Sequence, residues 1–212
     1  MEMIKVFIAD DHTLIREGIK NLIDSVPDIK LVGETSNPYE IIDQCQKTNA
    51  DIIILDLSMP GKSGLDVLKD IKAVIPKLKV LIMSMMPEEQ FAKRTLKAGA
   101  SGYITKDSPP EDIVSAIRRV ATGRKYVSVT LAEKLAESLD DHSEKTPVEL
   151  LSDREFQIFK MIATGKRQTI IAAELSLSVS TVNTYRKRIF DKFRFNSNAE
   201  LIHYAIQNKL LD

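Results

Sequence analysis

The sequence predicts a doubly wound α/β unit built on a five-stranded parallel sheet, followed by a second, all-α unit. Three observations predict it. Five short apolar, β-branched runs recur before residue 106, amphipathic stretches of helical period separate them, and no strand pattern survives beyond residue 150. A chain of 212 residues is long for one ordinary domain and comfortable for two, each with its own core.

Each element follows from its residues. Residues 5–9, 30–33, 51–55, 79–83 and 102–105 are apolar without strict alternation, as expected of strands covered on both faces of a parallel sheet. Residues 12–26, 38–48, 64–75, 87–98 and 109–122 carry apolar side chains at helical spacing, several opened by Pro in the manner of helix N-termini. The βα unit thus repeats five times, and right-handed crossovers place ligand chemistry at the carboxyl ends of the strands. The first domain is expected to span 1–122. Residues 123–150 read as a connector, with a short helix expected around 131–139 and an exposed linker over the polar, proline-ended run 140–147, where His142 is expected to be solvated. The helical domain occupies 151–212. Ser152 and Glu155 have capping-box spacing at the start of its first helix, Phe156, Ile158, Phe159, Ile162 and Ala163 supply an apolar stripe, and Gly165 ends it. Helices over 168–175, 178–193 and 198–207 follow, and the short turn between the first two of these marks a helix-turn-helix.

Hydrophobic residues make up 43% and charged residues 28%, a balance that points to globular folding and away from disorder. The N-terminal run is too short and charged for a secretory segment, and no apolar run approaches the roughly 18 residues of a membrane span, so a cytoplasmic protein without a membrane partner is expected. Cys45 is the sole cysteine and sits in a helical stretch, which suggests ordinary packing and excludes an internal disulfide. The formal charge of zero hides an asymmetry. Residues 152–212 hold 10 Lys and Arg against 6 Asp and Glu, a net +4 that leaves the rest of the chain at −4 and suggests an anionic partner for the C-terminal part.

The chemistry gathers at the strand ends. Asp10 and Asp11 close the first strand, Asp56 the third and Ser84 the fourth, and Lys106 follows the fifth, so all five residues collect on one edge of the sheet. Three carboxylates packed together repel one another unless a cation joins them, and Mg²⁺ suits a shallow site of carboxylate oxygens and water. Lys106 adds a fixed positive charge. Metal and ammonium together can neutralise a phosphoryl group transferred to an oxygen of Asp56 as an acyl phosphate, with the Ser84 hydroxyl bonding a phosphoryl oxygen. Taken singly, a strand-end Asp often caps a helix and a lone Lys is usually solvated; it is the ordered set, with Met59-Pro60-Gly61 after Asp56 and Gly102-Tyr103-Ile104-Thr105-Lys106 at the last strand, that points to this chemistry.

The third C-terminal helix carries Ser180-Thr181-Val182-Asn183-Thr184-Tyr185-Arg186-Lys187-Arg188, with Val182 and Ile189 spaced to face a core. Small polar side chains at a helix start reach base edges, and Arg and Lys a turn or two later meet phosphates, as in a recognition helix in the major groove. Ser180, Thr181, Asn183, Thr184, Tyr185, Arg186, Lys187 and Arg188 are therefore the candidate DNA contacts.

On these residues, 4–122 resemble the receiver domain of two-component signalling, a flavodoxin-like fold. The resemblance implies that Asp56 accepts phosphate from a sensor histidine kinase. It implies that Asp11, Asp56 and the carbonyl of Ser58 hold Mg²⁺ while Asp10 acts through water. It also implies that Ser84 and Tyr103 form a switch pair reporting phosphorylation to the face built by helix four, strand five and helix five; packing alone is the other reading of Tyr103. No turnover beyond self-phosphotransfer and autodephosphorylation is expected. Residues 151–212 resemble the LuxR-type helix-turn-helix of the NarL/FixJ response regulators, on Leu151-Ser152-Asp153-Arg154-Glu155, Ala163-Thr164-Gly165, Ile171-Ala172, Leu175, Ser178, Ser180-Thr181-Val182 and Lys192. That resemblance implies double-stranded DNA as partner, a homodimer when phosphorylated, and residues 198–207 as the helix used for dimerisation on DNA. Ile170, Asn183 and Tyr185 depart from the family, where Glu, Lys and His are common. Asn183 lacks the charge of a phosphate-binding lysine but has the geometry to read adenine. An aspartate-nucleophile phosphatase would also gather carboxylates at strand ends, and a helical domain that binds only protein would also lack strands; turnover of phosphate esters and a DNA-binding assay separate these readings.

Overall fold

The computed structural model describes residues 3–86, 88–133, 147–148, 150–175, 177–208 and 210–211. Expectations for Pro87, for a helix beyond residue 133, for the run 140–146 with His142, and for Ser176 fall outside the described residues. The chain divides into two compact units at residues 140/141.

In the first unit, strands β1 (Ile4–Ala9), β2 (Ile29–Thr35), β3 (Ile52–Asp56), β4 (Lys79–Ser84) and β5 (Gly102–Thr105) alternate with helices α1 (Thr13–Asp24), α2 (Ile41–Thr48), α3 (Gly64–Val74), α4 (Glu88–Lys97) and α5 (Pro110–Ala121). All strand pairs are parallel, in the order β2-β1-β3-β4-β5. Alternation along each strand splits the core in two. Val6, Ile8, Ile52, Ile54, Leu81, Met83 and Ile104 pack with Ile19 and Ile23 of α1 and Ile113, Val114, Ile117 and Val120 of α5. Phe7, Ile53, Leu55, Ile82 and Tyr103, equally buried, face the other way.

Local chemistry sets the ends of these elements. α5 opens on Pro109 and Pro110, carries Glu111 and Asp112 in its first turn, and ends on Arg118 and Arg119, an order that suits the helix dipole. Arg118 also grips Asp28 with two hydrogen bonds of 2.9 and 2.7 Å. Gly64 starts α3 where only a hydrogen fits: an added Cβ would lie 2.4 Å from the Cα of Leu57. Most boundaries fall within one residue of the sequence expectation, α1 ends at Asp24 rather than 26, and two further differences have a visible cause. β2 runs on to Thr35 because Glu34 and Thr35 still pair with Ile8 and Ala9. α2 starts at Ile41 rather than 38, because the Asn37 side-chain Oδ1 accepts from the Tyr39 N–H and its backbone carbonyl from the Glu40 N–H, which holds residues 37–40 in a turn.

Beyond α5 the first unit continues into the region that composition assigns to the connector. Tyr126 forms a parallel bridge with Gly102, its N–H donating to Ser101 and its carbonyl accepting from Tyr103. Ser128 N–H donates to Glu88 of α4, and Leu131 is buried. Gly102 permits this approach, since a Cβ there would lie 2.9 Å from the Tyr126 carbonyl oxygen.

The second unit holds helices α6 (Asp153–Ala163), α7 (Gln168–Glu174), α8 (Val179–Phe193) and α9 (Asn198–Gln207). Ser152 and Glu155 form the full capping box at α6, Ser178 caps α8 and Ser197 caps α9. Ile158, Phe159, Ile162, Ile171, Val182, Ile189, Leu201 and Ala205 build the core. Phe193 stacks on Phe159 and Phe195 at 5.4 and 4.9 Å and meets Tyr204 edge-on at 5.0 Å.

Candidate functional site

The connection from β1 leads to β2 on one side of it, while β3 on its other side leads onward to β4, so the strand order reverses between β1 and β3. A crevice at the carboxyl ends of these two strands is the place where open α/β sheets bind ligands. Asp10 and Asp11 directly follow β1 and Asp56 is the last residue of β3. Lys106, just past β5, reaches back with a side chain only 2% exposed, and its ammonium donates to Oδ2 of Asp10 and Oδ2 of Asp56, both at 2.9 Å. The Ser58 N–H donates to the other oxygen of Asp56 at 3.0 Å. Burial pushes the Asp56 carboxyl above the usual carboxylate range, and the charge of Lys106 offsets this in part. Burial also works against the Lys106 ammonium, but Asp56 and Asp10 outweigh it and hold its pKa above the ordinary lysine value.

His12, the residue before α1, joins the same group. Its N–H donates to Asp10 Oδ1 at 2.8 Å, and its Nδ1 lies 3.1 Å from Asp10 Oδ1, 3.0 Å from Asp11 Oδ1, 3.9 Å from Asp56 Oδ2 and 3.2 Å from Lys106 Nζ. Asp11 Oδ1 is buried and makes no hydrogen bond; the 3.0 Å approach of His12 is an ion-pair distance without hydrogen-bond geometry. Three carboxylates therefore face one ammonium, leaving two negative charges in excess. Asp10, Asp11, Asp56 and His12 each offer a ligand atom within 4.8 Å of the others. An oxygen-rich set with one unsatisfied buried oxygen and that excess charge fits a hard divalent cation.

Next to the acids, Ser84 ends β4 fully buried, and its Oγ accepts the Met86 N–H at 3.2 Å. The Met86 carbonyl accepts the Tyr103 hydroxyl at 2.9 Å, with the Tyr103 ring also fully buried. Met86 is thus held at its nitrogen by Ser84 and at its oxygen by Tyr103. The Lys106 N–H donates to the Ser84 carbonyl, tying the ends of β4 and β5 together.

In the second unit, α8 sorts its residues by helical spacing. Ser180, Asn183, Thr184, Lys187 and Arg188 are exposed, at intervals of three and four that place them on one stripe. Val182 and Ile189 are fully buried on the opposite side. Between the two, Thr181, Tyr185 and Arg186 are half-buried. Arg186 is engaged within the fold: its Nε donates to Asn198 at 2.9 Å and its guanidinium lies 4.1 Å from the Phe190 ring centre. Arg188 lies 5.7 Å from the Tyr185 ring. The Lys192 ammonium donates to the carbonyl of Leu150 and to Glu155 of the capping box, at 2.9 and 2.6 Å.

The residues expected from the sequence thus fall into two groups. Asp10, Asp11, Asp56 and Lys106 meet directly, with Ser58 on Asp56, while Ser84 and Tyr103 meet each other through Met86. Of the helix residues, five share the exposed stripe and Arg186 turns inward. Sequence reasoning missed His12, which it read only as the start of a helix; its place directly after two strand-end acids was the available signal. It also missed Tyr39, whose hydroxyl donates to the Gly61 carbonyl at 3.2 Å and braces the loop that follows Asp56.

Both units are similar to known proteins. Residues 6–118 match the family model described as "Response regulator receiver domain", and residues 149–205 match "Bacterial regulatory proteins, luxR family". The chain is 35% identical to the response regulator UvrY of Escherichia coli over 209 residues, covering 98% of this chain and 96% of that protein. It is 36% identical to the response regulator GacA of Pseudomonas aeruginosa over 211 residues, covering 99% of each. Among solved structures, RcsB of Salmonella enterica serovar Typhimurium, bound to the rprA promoter in the presence of the phosphomimetic BeF3−, matches with a TM-score of 0.77 at 25% identity, over 96% of this chain and 98% of that one.

Proposed function

The chain belongs to the NarL/FixJ family of two-component response regulators, in which a receiver domain is joined to a LuxR-type DNA-binding domain, and from that premise we propose how its residues divide the work. Residues 1–122 are the receiver, 123–150 the linker and 151–212 the DNA-binding domain. Asp56 is the phosphoacceptor. An oxygen of its carboxylate attacks the phosphorus of a phosphohistidine on a sensor kinase, or of acetyl phosphate. The new P–O bond forms as the P–N or P–O bond to the donor breaks, and the histidine or acetate leaves.

Asp11, Asp56 and the Ser58 carbonyl are the residues to hold Mg²⁺, with Asp10 acting through water; a bound cation supplies charge neutralisation at the phosphoryl oxygens. Lys106 supplies the other positive charge and fixes the carboxylate it faces. The Ser84 hydroxyl, released from the Met86 N–H, bonds a phosphoryl oxygen. Because Met86 also holds the Tyr103 hydroxyl, that release frees Tyr103 to move with it. The output lies on the exposed stripe of α8: Ser180, Asn183 and Thr184 toward bases, Lys187 and Arg188 toward phosphates, with Thr181, Tyr185 and Arg186 at its flank. A phosphorylated homodimer bound to double-stranded DNA in the cytoplasm is the working form.

The observation that carries this reading is the Lys106 ammonium bridging Asp10 and Asp56 at 2.9 Å beside a buried oxygen of Asp11 that makes no hydrogen bond. Its test is labelling by acetyl phosphate. Asp56→Asn is expected to abolish incorporation of phosphate while the circular dichroism spectrum is retained; a variant labelled as fully as the parent would show that another residue is the acceptor.

A further inference from the structure

We propose that His12 Nδ1 is itself a ligand of the divalent cation held by the acidic cradle, and that it turns the site toward cations that accept nitrogen, such as Mn²⁺, in preference to Mg²⁺. The inference rests on the reading of the cradle as a cation site and adds a residue and a selectivity to it.

The argument is geometric. Two neighbouring ligands on an octahedral cation with bonds of about 2.1 Å lie roughly 3.0 Å apart, and two opposite ligands about 4.2 Å apart. Nδ1 of His12 lies 3.1 Å from Asp10 Oδ1 and 3.0 Å from Asp11 Oδ1, both edge lengths, and 3.9 Å from Asp56 Oδ2, between an edge and a diagonal. The imidazole nitrogen therefore stands at ligand spacing from Asp11 and Asp56, the two carboxylates that hold the cation directly, while its 3.1 Å contact with Asp10, which acts through water, is a hydrogen bond. Two tautomers divide the contacts of Nδ1: with the ring proton on Nδ1 it donates to Asp10 Oδ1 at 3.1 Å, and with the proton on Nε2 it accepts from Lys106 Nζ at 3.2 Å. In the second tautomer the Nδ1 lone pair can turn to a cation, and Lys106 keeps its 2.9 Å partners in Asp10 and Asp56. Among the carboxylate oxygens, the one that makes no hydrogen bond, Asp11 Oδ1, is the one that His12 Nδ1 approaches most closely.

The backbone fixes this position. His12 precedes the first turn of α1 in an extended conformation, and its N–H donates to Asp10 at 2.8 Å, so the ring leaves the chain directly above the acids. Its side chain makes no capping bond to the helix and is half exposed, so its replacement should leave the fold intact. The consequence is chemical. Mg²⁺ takes oxygen and gives up water reluctantly, whereas the first-row transition ions also take imidazole, Mn²⁺ the least strongly and the later ions with rising affinity. An acidic cradle with one imidazole is a mixed oxygen and nitrogen site.

The test uses Mn²⁺ on the full-length protein and on His12→Phe, which keeps a ring and removes both nitrogens. Pulsed electron paramagnetic resonance of bound Mn²⁺ is expected to show a directly coordinated ¹⁴N in the parent and none in the variant. Titration should show the preference for Mn²⁺ over Mg²⁺ falling about tenfold in the variant, chiefly through weaker Mn²⁺ binding. Unaltered melting of the variant's first unit would confirm that the change is local. Mn²⁺ that binds both proteins with equal preference and without nitrogen coupling would overturn the role of His12 and leave the cation site standing. Absence of Mn²⁺ and Mg²⁺ binding from both would overturn the cation site and this inference together, and Asp56→Asn labelling separates that result from a failure of the phosphoacceptor.

Discussion

Glu155 shows how one side chain can be asked to do two things, and how pH exposes both. It is almost fully buried, accepts the Ser152 N–H in the capping box and accepts the Lys192 ammonium. Burial alone would raise its pKa, but the hydrogen bonds from Lys192 and Ser152 outweigh burial and hold it below the ordinary value of 4.5. A carboxyl whose folded pKa is depressed binds fewer protons in the folded state than in the unfolded one. Its contribution to stability is therefore complete above about pH 4.5 and is lost as the pH falls through the lower, folded value. Glu155→Gln is expected to cost the second unit about 1.5 to 3 kcal/mol at neutral pH, the range for hydrogen bonds to a charged partner. The same variant should flatten the acid limb of stability against pH, measured as denaturant midpoints between pH 3 and 7. Parallel acid limbs for the parent and the variant would show that Glu155 carries no such load.

On the scale of the element, α8 separates a residue that holds the fold from residues free to meet a ligand. Arg186 is bonded to Asn198 of α9 and stacked on Phe190, so Arg186→Ala is expected to destabilise the second unit by about 1 to 2 kcal/mol through the lost bond and stack. Lys187 is exposed on the stripe, and Lys187→Ala should leave stability unchanged while lowering the slope of log affinity for DNA against log salt by about one. A Lys187→Ala slope equal to the parent's would take Lys187 off the phosphates. The contrast between these two neighbours marks what was legible in the sequence. Strand runs fix where each strand stops, so the meeting of Asp10, Asp11, Asp56 and Lys106 follows from order alone. Caps also speak locally, as Ser152 with Glu155 and the left-handed Gly165 do. Side-chain direction at a helix flank or start does not, because it depends on what the partner element presents. Arg186 turns inward only because Asn198 and Phe190 lie there, and His12 enters the cradle only through the extended backbone before α1. Edge pairing is equally non-local: Tyr126 docks on β5 because Gly102, 24 residues earlier, lacks a Cβ.

For the molecule as a whole, the decisive fact is that two cores of different construction carry charges of opposite sign, −2 on the sheet-bearing residues 1–122 and +4 from residue 152 onward, with the remaining −2 on residues 123–151 between them. A phosphoryl group adds a further charge of about −1.5 to −2 to the part that is already negative, so the site must bring its own cations, and ligands of each part stabilise that part. Each unit has its own buried core, so heat should unfold the protein in two transitions. Mg²⁺ with beryllofluoride at about 100 times its dissociation constant contributes about 2.7 kcal/mol to whatever unit binds it, by mass action. For a domain near 120 residues that corresponds to a rise of roughly 10 °C. Differential scanning calorimetry is expected to show this rise in the first-unit transition alone, with Asp56→Asn abolishing it, and Glu155→Gln lowering the other transition alone. A single transition moved as one body by both changes would mean that the two cores unfold together, and the linker would then have to be treated as part of a common fold.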